Sequence, residues 1–167
     1  TWEGSTWTEI VVASLTEQGN YDNAIYWATN DLLVSDVRGD GKFRVYSAGQ
    51  DGALREFMWT GSGWQETVIA KVPGAVTALS SGAARSDGIS RLYAVGPALY
   101  EFTWTSSGWS GVEIGRPASG TFSAIALGAI RADGKPRLYT AGDGKLYEFS
   151  WEGAVGGGTV AISSTLT

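Results

Sequence analysis

Apolar and polar residues alternate in short runs along most of the chain, and the runs stop at glycines or Asp-Gly pairs. A period of two sends alternate side chains to opposite faces of a strand, so the pattern reads as many short strands joined by tight turns. Val76 to Leu79 and Phe122 to Gly128, with Ala24 to Leu33 as a looser counterpart, are strands of small and β-branched residues. Arg44 to Ala48, Arg91 to Val95 and Arg137 to Ala141 form a second set, each entered through an Asp-Gly turn. Leu54 to Trp59, Leu99 to Trp104 and Leu146 to Trp151 form a third, and Gln65 to Ala70, Gly111 to Gly115 and Thr159 to Ser163 a fourth.

These sets are copies of one unit. The segment from Arg38 to Tyr46, with Asp40-Gly41 inside it, recurs from Arg85 to Tyr93 and from Arg131 to Tyr139, at offsets of 47 and 46 residues. Each copy is followed by a Leu-x-Glu-Phe-x-Trp phrase ending at Trp59, Trp104 or Trp151. After Trp59 and Trp104 a glycine turn leads to a second tryptophan, Trp64 and Trp109, and the chain opens on the same phrase with Trp2 and Trp7. A repeat of about 46 residues built of strands and turns cannot bury both of its faces alone, which predicts an all-β propeller of four-stranded antiparallel blades. The blades are expected near 22–71, 75–115 and 121–163, with a leading outer strand at 7–14. Three blades do not close a ring, because propellers use typically 4–8. Copies of the chain are therefore expected to complete it as a homo-oligomer, two chains in a six-bladed ring being the simplest closure, or else the chain is a piece of a longer propeller.

Composition narrows the chemistry. The chain has 167 residues, 24 of them Gly, and no Cys or His. Without those two residue types there is no disulfide framework, no Cys or His zinc site and no Ser-His-Asp triad. A net charge of −5 with no basic cluster argues against nucleic acid or an anionic membrane surface as partner. No apolar run approaches the roughly 20 residues that span a bilayer, so a soluble protein without membrane insertion is expected. There is no initial Met and no leader, which reads as a mature or excised product. A thiol-free surface rich in Thr, Ser, Gly and Trp points to a secreted or cell-surface setting.

Arg44, Glu56, Trp59 and Trp64, with their counterparts in the other copies, make the repeat resemble the six-bladed fucose-binding lectins of bacteria and fungi. That resemblance implies that Arg and Glu hold sugar hydroxyls while the second Trp stacks on the apolar face of the sugar. The partners it implies are glycans, fucose-containing ones among them. A competing resemblance is to FG-GAP or integrin-like propellers with acidic calcium loops, but only Asp36 and Asp40 keep part of such a loop. No metal or other cofactor is expected.

The candidate sugar-binding groups are Arg44 with Glu56 and Trp64, Arg91 with Glu101 and Trp109, Arg137 with Glu148, and Trp7. Planar charged groups suit vicinal hydroxyls, and an aromatic ring suits a C–H face. Each has a plainer reading beside it: the Arg and Glu as a cross-strand ion pair fixing register, the tryptophans as packing between blades. Tyr46, Tyr93 and Tyr139 read as core, Arg38, Arg85 and Arg131 as braces of the Asp-Gly turns. Every carboxylate that could serve as acid or base recurs in each copy, whereas a catalytic site would be unique, so a non-catalytic protein is expected. The alternative function is a structural or adhesive self-assembling module.

Overall fold

A computed structural model of the chain describes residues 2–3, 6–7, 11, 29–151, 153 and 160–164. Its strands are β1 (Trp2–Glu3), β2 (Thr6–Trp7), β3 (Thr29–Ser35), β4 (Arg44–Gly49), β5 (Ala53–Trp59), β6 (Trp64–Lys71), β7 (Ala78–Gly82), β8 (Arg91–Val95), β9 (Leu99–Thr105), β10 (Gly108–Gly115), β11 (Phe122–Gly128), β12 (Arg137–Gly142), β13 (Lys145–Trp151) and β14 (Val160–Ser164). The described residues contain no helix.

Each repeat forms one four-stranded antiparallel sheet with its strands in sequence order: β3 to β6, β7 to β10, and β11 to β14. Sequence order is what short turns produce, because a tight turn can only return the chain alongside the strand it has just left. The hairpin β1–β2 sets Trp2 opposite Trp7, the same pairing that sets Trp59 opposite Trp64 and Trp104 opposite Trp109. Of the leading strand expected at 7–14, Trp7 ends β2 and Val11 is outside any strand; the rest lies outside the described residues, as do 22–28.

One strand begins later than its sequence suggests. The alternating run starts at Val76, but the amide of Val76 donates to Gly49 O at 3.1 Å and the Thr77 hydroxyl donates to Phe122 O at 2.7 Å. Those two residues join neighbouring sheets, and the ladder of β7 starts at Ala78. The junction recurs one repeat later, where Phe122 N donates to Gly96 O at 2.7 Å.

Apolar side chains from facing sheets make two separate cores. Tyr46, Leu54, Leu92, Tyr100 and Phe102 meet between the first and second sheets, and Tyr93, Leu99, Phe122, Leu138 and Phe149 between the second and third. Tyr46 and Tyr93 are fully buried, while Tyr139 on the third sheet is only partly so. A sheet that buries a face against each neighbour needs a neighbour on both sides, which only the second sheet has among the described residues.

Candidate functional site

The charged residues of each repeat assemble into one network. In the first sheet Arg44 grips Asp40, its two terminal nitrogens donating to the two carboxylate oxygens at 2.9 and 2.7 Å. Arg91 holds Asp87 in the same way at 2.9 and 2.5 Å, and Arg137 holds Asp133 at 2.9 and 2.6 Å. The Asp-Gly turn sets this up: the Asp carboxylate accepts the amide two residues on, at 3.1 Å for Lys42, and so faces back along the strand that carries the Arg. The glutamates of the third strands take a different arginine. Arg38 donates to Glu56 through Nε at 2.9 Å and through a terminal nitrogen, and Arg85 does the same to Glu101, with Nε at 3.0 Å. Arg131 reaches Glu148 at 3.0 Å.

The expected pairing of Arg44 with Glu56 is therefore secondary. The two approach only to 3.7 Å, Arg91 and Glu101 to 3.6 Å, and Arg137 and Glu148 to 3.4 Å. Arg38, Arg85 and Arg131 were expected to brace the turns, yet their side chains leave the turn and cross to the third strand. The missed pairing had a signal in the sequence, because Asp and Arg stand four residues apart in every copy: Asp40 and Arg44, Asp87 and Arg91, Asp133 and Arg137.

Burial and electrostatics lock most of these groups together, while the Nε atoms of Arg44 and Arg137 are buried without a hydrogen-bond partner. Arg44, Glu56, Arg91, Glu101 and Arg137 are all buried, and Glu148 is largely so. The Tyr46 hydroxyl donates to Glu56 at 3.1 Å and that of Tyr93 to Glu101 at 3.3 Å. Burial first, and then the adjacent glutamate charge, pushes both phenols well above their ordinary range. The bidentate hydrogen bonds from Arg44 and Arg137 hold the Asp40 and Asp133 carboxyls far below the usual carboxylate range, and Arg91 lowers Asp87 to about 2. Asp36, the other acid of the would-be calcium loop, accepts the amides of Asp40 and Gly41 at 3.2 and 2.9 Å.

The tryptophans divide by position. The Arg38 guanidinium lies 3.6 Å from the centre of the Trp104 ring in the next sheet, and Arg85 lies 3.9 Å from that of Trp151. Trp109 packs edge-on against Trp104 and against Tyr46 of the preceding sheet, with centroids 5.5 and 6.2 Å apart. Trp64 packs edge-on against Trp59, with centroids 5.6 Å apart, and both are exposed. Trp7 is placed by its backbone alone, opposite Trp2. The Gly156 position, where the third repeat lacks the second Trp, lies outside the described residues.

Grooves open between the sheets among the described residues. One, of about 200 Å³, runs between the second and third sheets past Arg85, Glu113, Phe149 and Trp151. Another, of about 370 Å³, lies between β6 and the outer half of the second sheet and is walled by Lys71, Val72, Tyr100, Phe102, Trp109 and Glu113. The Tyr100 hydroxyl and the Trp109 indole N–H in its wall are buried without a hydrogen-bond partner. Groups of this kind are rare and call for an explanation. No protein-family model matches the chain, and no curated protein is significantly similar to it.

Proposed function

We propose that the chain is a segment of a non-catalytic β-propeller that binds glycans in the grooves between its blades. The observation that carries this reading is the groove beside Trp109, where an aromatic wall and two unpaired donors, Tyr100 Oη and Trp109 Nε1, stand together. A sugar supplies both complements, a C–H face for the rings and, where the side chains shift to admit it, hydroxyl oxygens for the donors. Lys71 and Glu113 line the same groove, Glu113 held by two hydrogen bonds from Arg116. Of the candidate residues, Trp109 alone is asked to meet ligand here, while the arginines and glutamates act as the frame that holds the blades. The sheets would be blades of one ring completed by further blades, and weak sites repeated around such a ring would gain strength by avidity on glycan-covered surfaces outside the cell.

A structural or adhesive module is the second reading, favoured by the engagement of every Arg and Glu singled out as a sugar ligand in an ion pair within its own sheet. Tyr100→Phe separates the two. Removing a buried hydroxyl that has no protein partner should leave thermal stability unchanged or slightly raised. If a sugar accepts from that hydroxyl, monosaccharide-inhibitable binding on a glycan array should weaken roughly tenfold. A wild-type protein that binds nothing on the array, while still self-assembling, decides for the structural module.

A further inference from the structure

The same side-chain contact joins the first sheet to the second and the second to the third, and among the described residues its two halves are left over at the outer ends. Arg38 lies over Trp104 and Arg85 over Trp151. The next arginine in the series, Arg131, has a side chain 55% exposed against 17% and 24% for Arg38 and Arg85. The matching tryptophan of the first four-stranded sheet, Trp59, is 53% exposed.

The apolar residues around this contact follow the same rule. Leu54 and Leu99, facing the sheet that follows each, are fully buried, whereas their counterpart Leu146 is 44% exposed. On the opposite face Leu32 is 61% exposed, while its counterpart Leu79, covered by the preceding sheet, is 7% exposed. Val34 is bare, while its counterpart Leu127 packs on Gly82 of the sheet before it. The outer face of the first sheet thus displays what a following sheet presents, and the outer face of the third displays what a preceding sheet receives.

We propose that a second copy of this chain docks head to tail, its third sheet against the first sheet of its neighbour, with Arg131 of one copy stacked on Trp59 of the other and Leu146 covering Leu32 and Val34. The proposal rests on the propeller reading and gives ring closure its residues. The two surfaces differ, so the contact is heterologous. Two copies then form two identical contacts and bring together six four-stranded sheets, a number within the range that propellers use.

The test is sedimentation of the full chain at micromolar concentration, with glycan binding and melting temperature measured in parallel. The wild type should sediment as a dimer. Arg131→Ala and Trp59→Ala, both exposed positions, should each weaken dimerisation roughly five- to thirtyfold, the range for a stack that becomes desolvated. The exchanged pair Arg131→Trp with Trp59→Arg should recover most of it. A monomeric wild type overturns the proposal, as would result if further sheets of the same chain filled these faces. A dimer indifferent to all three variants also overturns it. Glycan binding by a monomer would refute the docking while sparing the lectin reading, and assembly without glycan binding would do the reverse.

Discussion

Replacing Glu101 by Gln removes one charge from the centre of the second network and changes almost nothing in shape. Glu101 is 3% exposed and accepts from two nitrogens of Arg85 and from the Tyr93 hydroxyl, with Arg91 Nε at 3.6 Å. The amide keeps one acceptor oxygen but turns an NH₂ toward two guanidinium groups. Removing one partner of a buried pair costs about 3–5 kcal/mol, because the other charge stays in low dielectric uncompensated. Two features place the cost near the lower end, about 3 kcal/mol: Arg91 retains its bidentate grip on Asp87, and Arg85 retains Trp151. For a chain of this length that corresponds to a fall of about 6–12 °C in melting temperature. Glu148→Gln is the built-in comparison. Its arginine, Arg131, is mostly exposed, so the pair behaves as a surface ion pair worth about 1 kcal/mol or less. Thermal unfolding followed by circular dichroism should therefore rank Glu101→Gln well below Glu148→Gln. Equal melting temperatures for the two variants would refute the reasoning, and a Glu101→Gln protein that melts like wild type but loses glycan binding would show that this glutamate serves a ligand.

Three further measurements bear on the same structure. Gly52→Ala is expected to cost about 3 kcal/mol in urea unfolding, since φ is +76° and a Cβ would stand 2.2 Å from Val72 O; Gly41→Ala, at φ +78° with open space around it, should cost about 1 kcal/mol, and equal effects would contradict the crowding argument. Because Asp40, Asp87 and Asp133 have carboxyls depressed by their arginines, the unfolded chain takes up their protons first, near pH 4; stability should hold above that and fall as the pH drops toward 2, and Asp87→Asn should flatten the fall. Trp109→Ala should destabilise by about 3 kcal/mol because its ring packs between two sheets, while Trp64→Ala should cost about 1 kcal/mol, so an indifferent Trp109→Ala would place that ring outside the packing.

What the chain announces in one dimension is its local structure. The period of two, the Asp-Gly turns and the recurrence of Arg38 to Tyr46 set the order of strands in each sheet, because strand faces and tight turns are decided by neighbours within a few residues. Even the pairing of Asp40 with Arg44 lay within that reach. The contacts of Arg38 did not. Its guanidinium meets Glu56 on the third strand of its own sheet and Trp104 in the next, and no spacing rule ties residue 38 to 56 and 104 at once. Glu56 sits opposite Tyr46 in the ladder, which brings it near Arg44 on the page of the sequence; in three dimensions Arg44 is turned back by the Asp-Gly corner, and the longer reach of Arg38 takes the carboxylate. Trp64 and Trp109 are likewise the same letter in the same phrase. Only the packing of one sheet on another half-buries Trp109 against Tyr46 and leaves Trp64 exposed, because burial depends on what stands across the interface, and the chain supplies a neighbouring sheet to the second repeat that the described residues do not supply to the first.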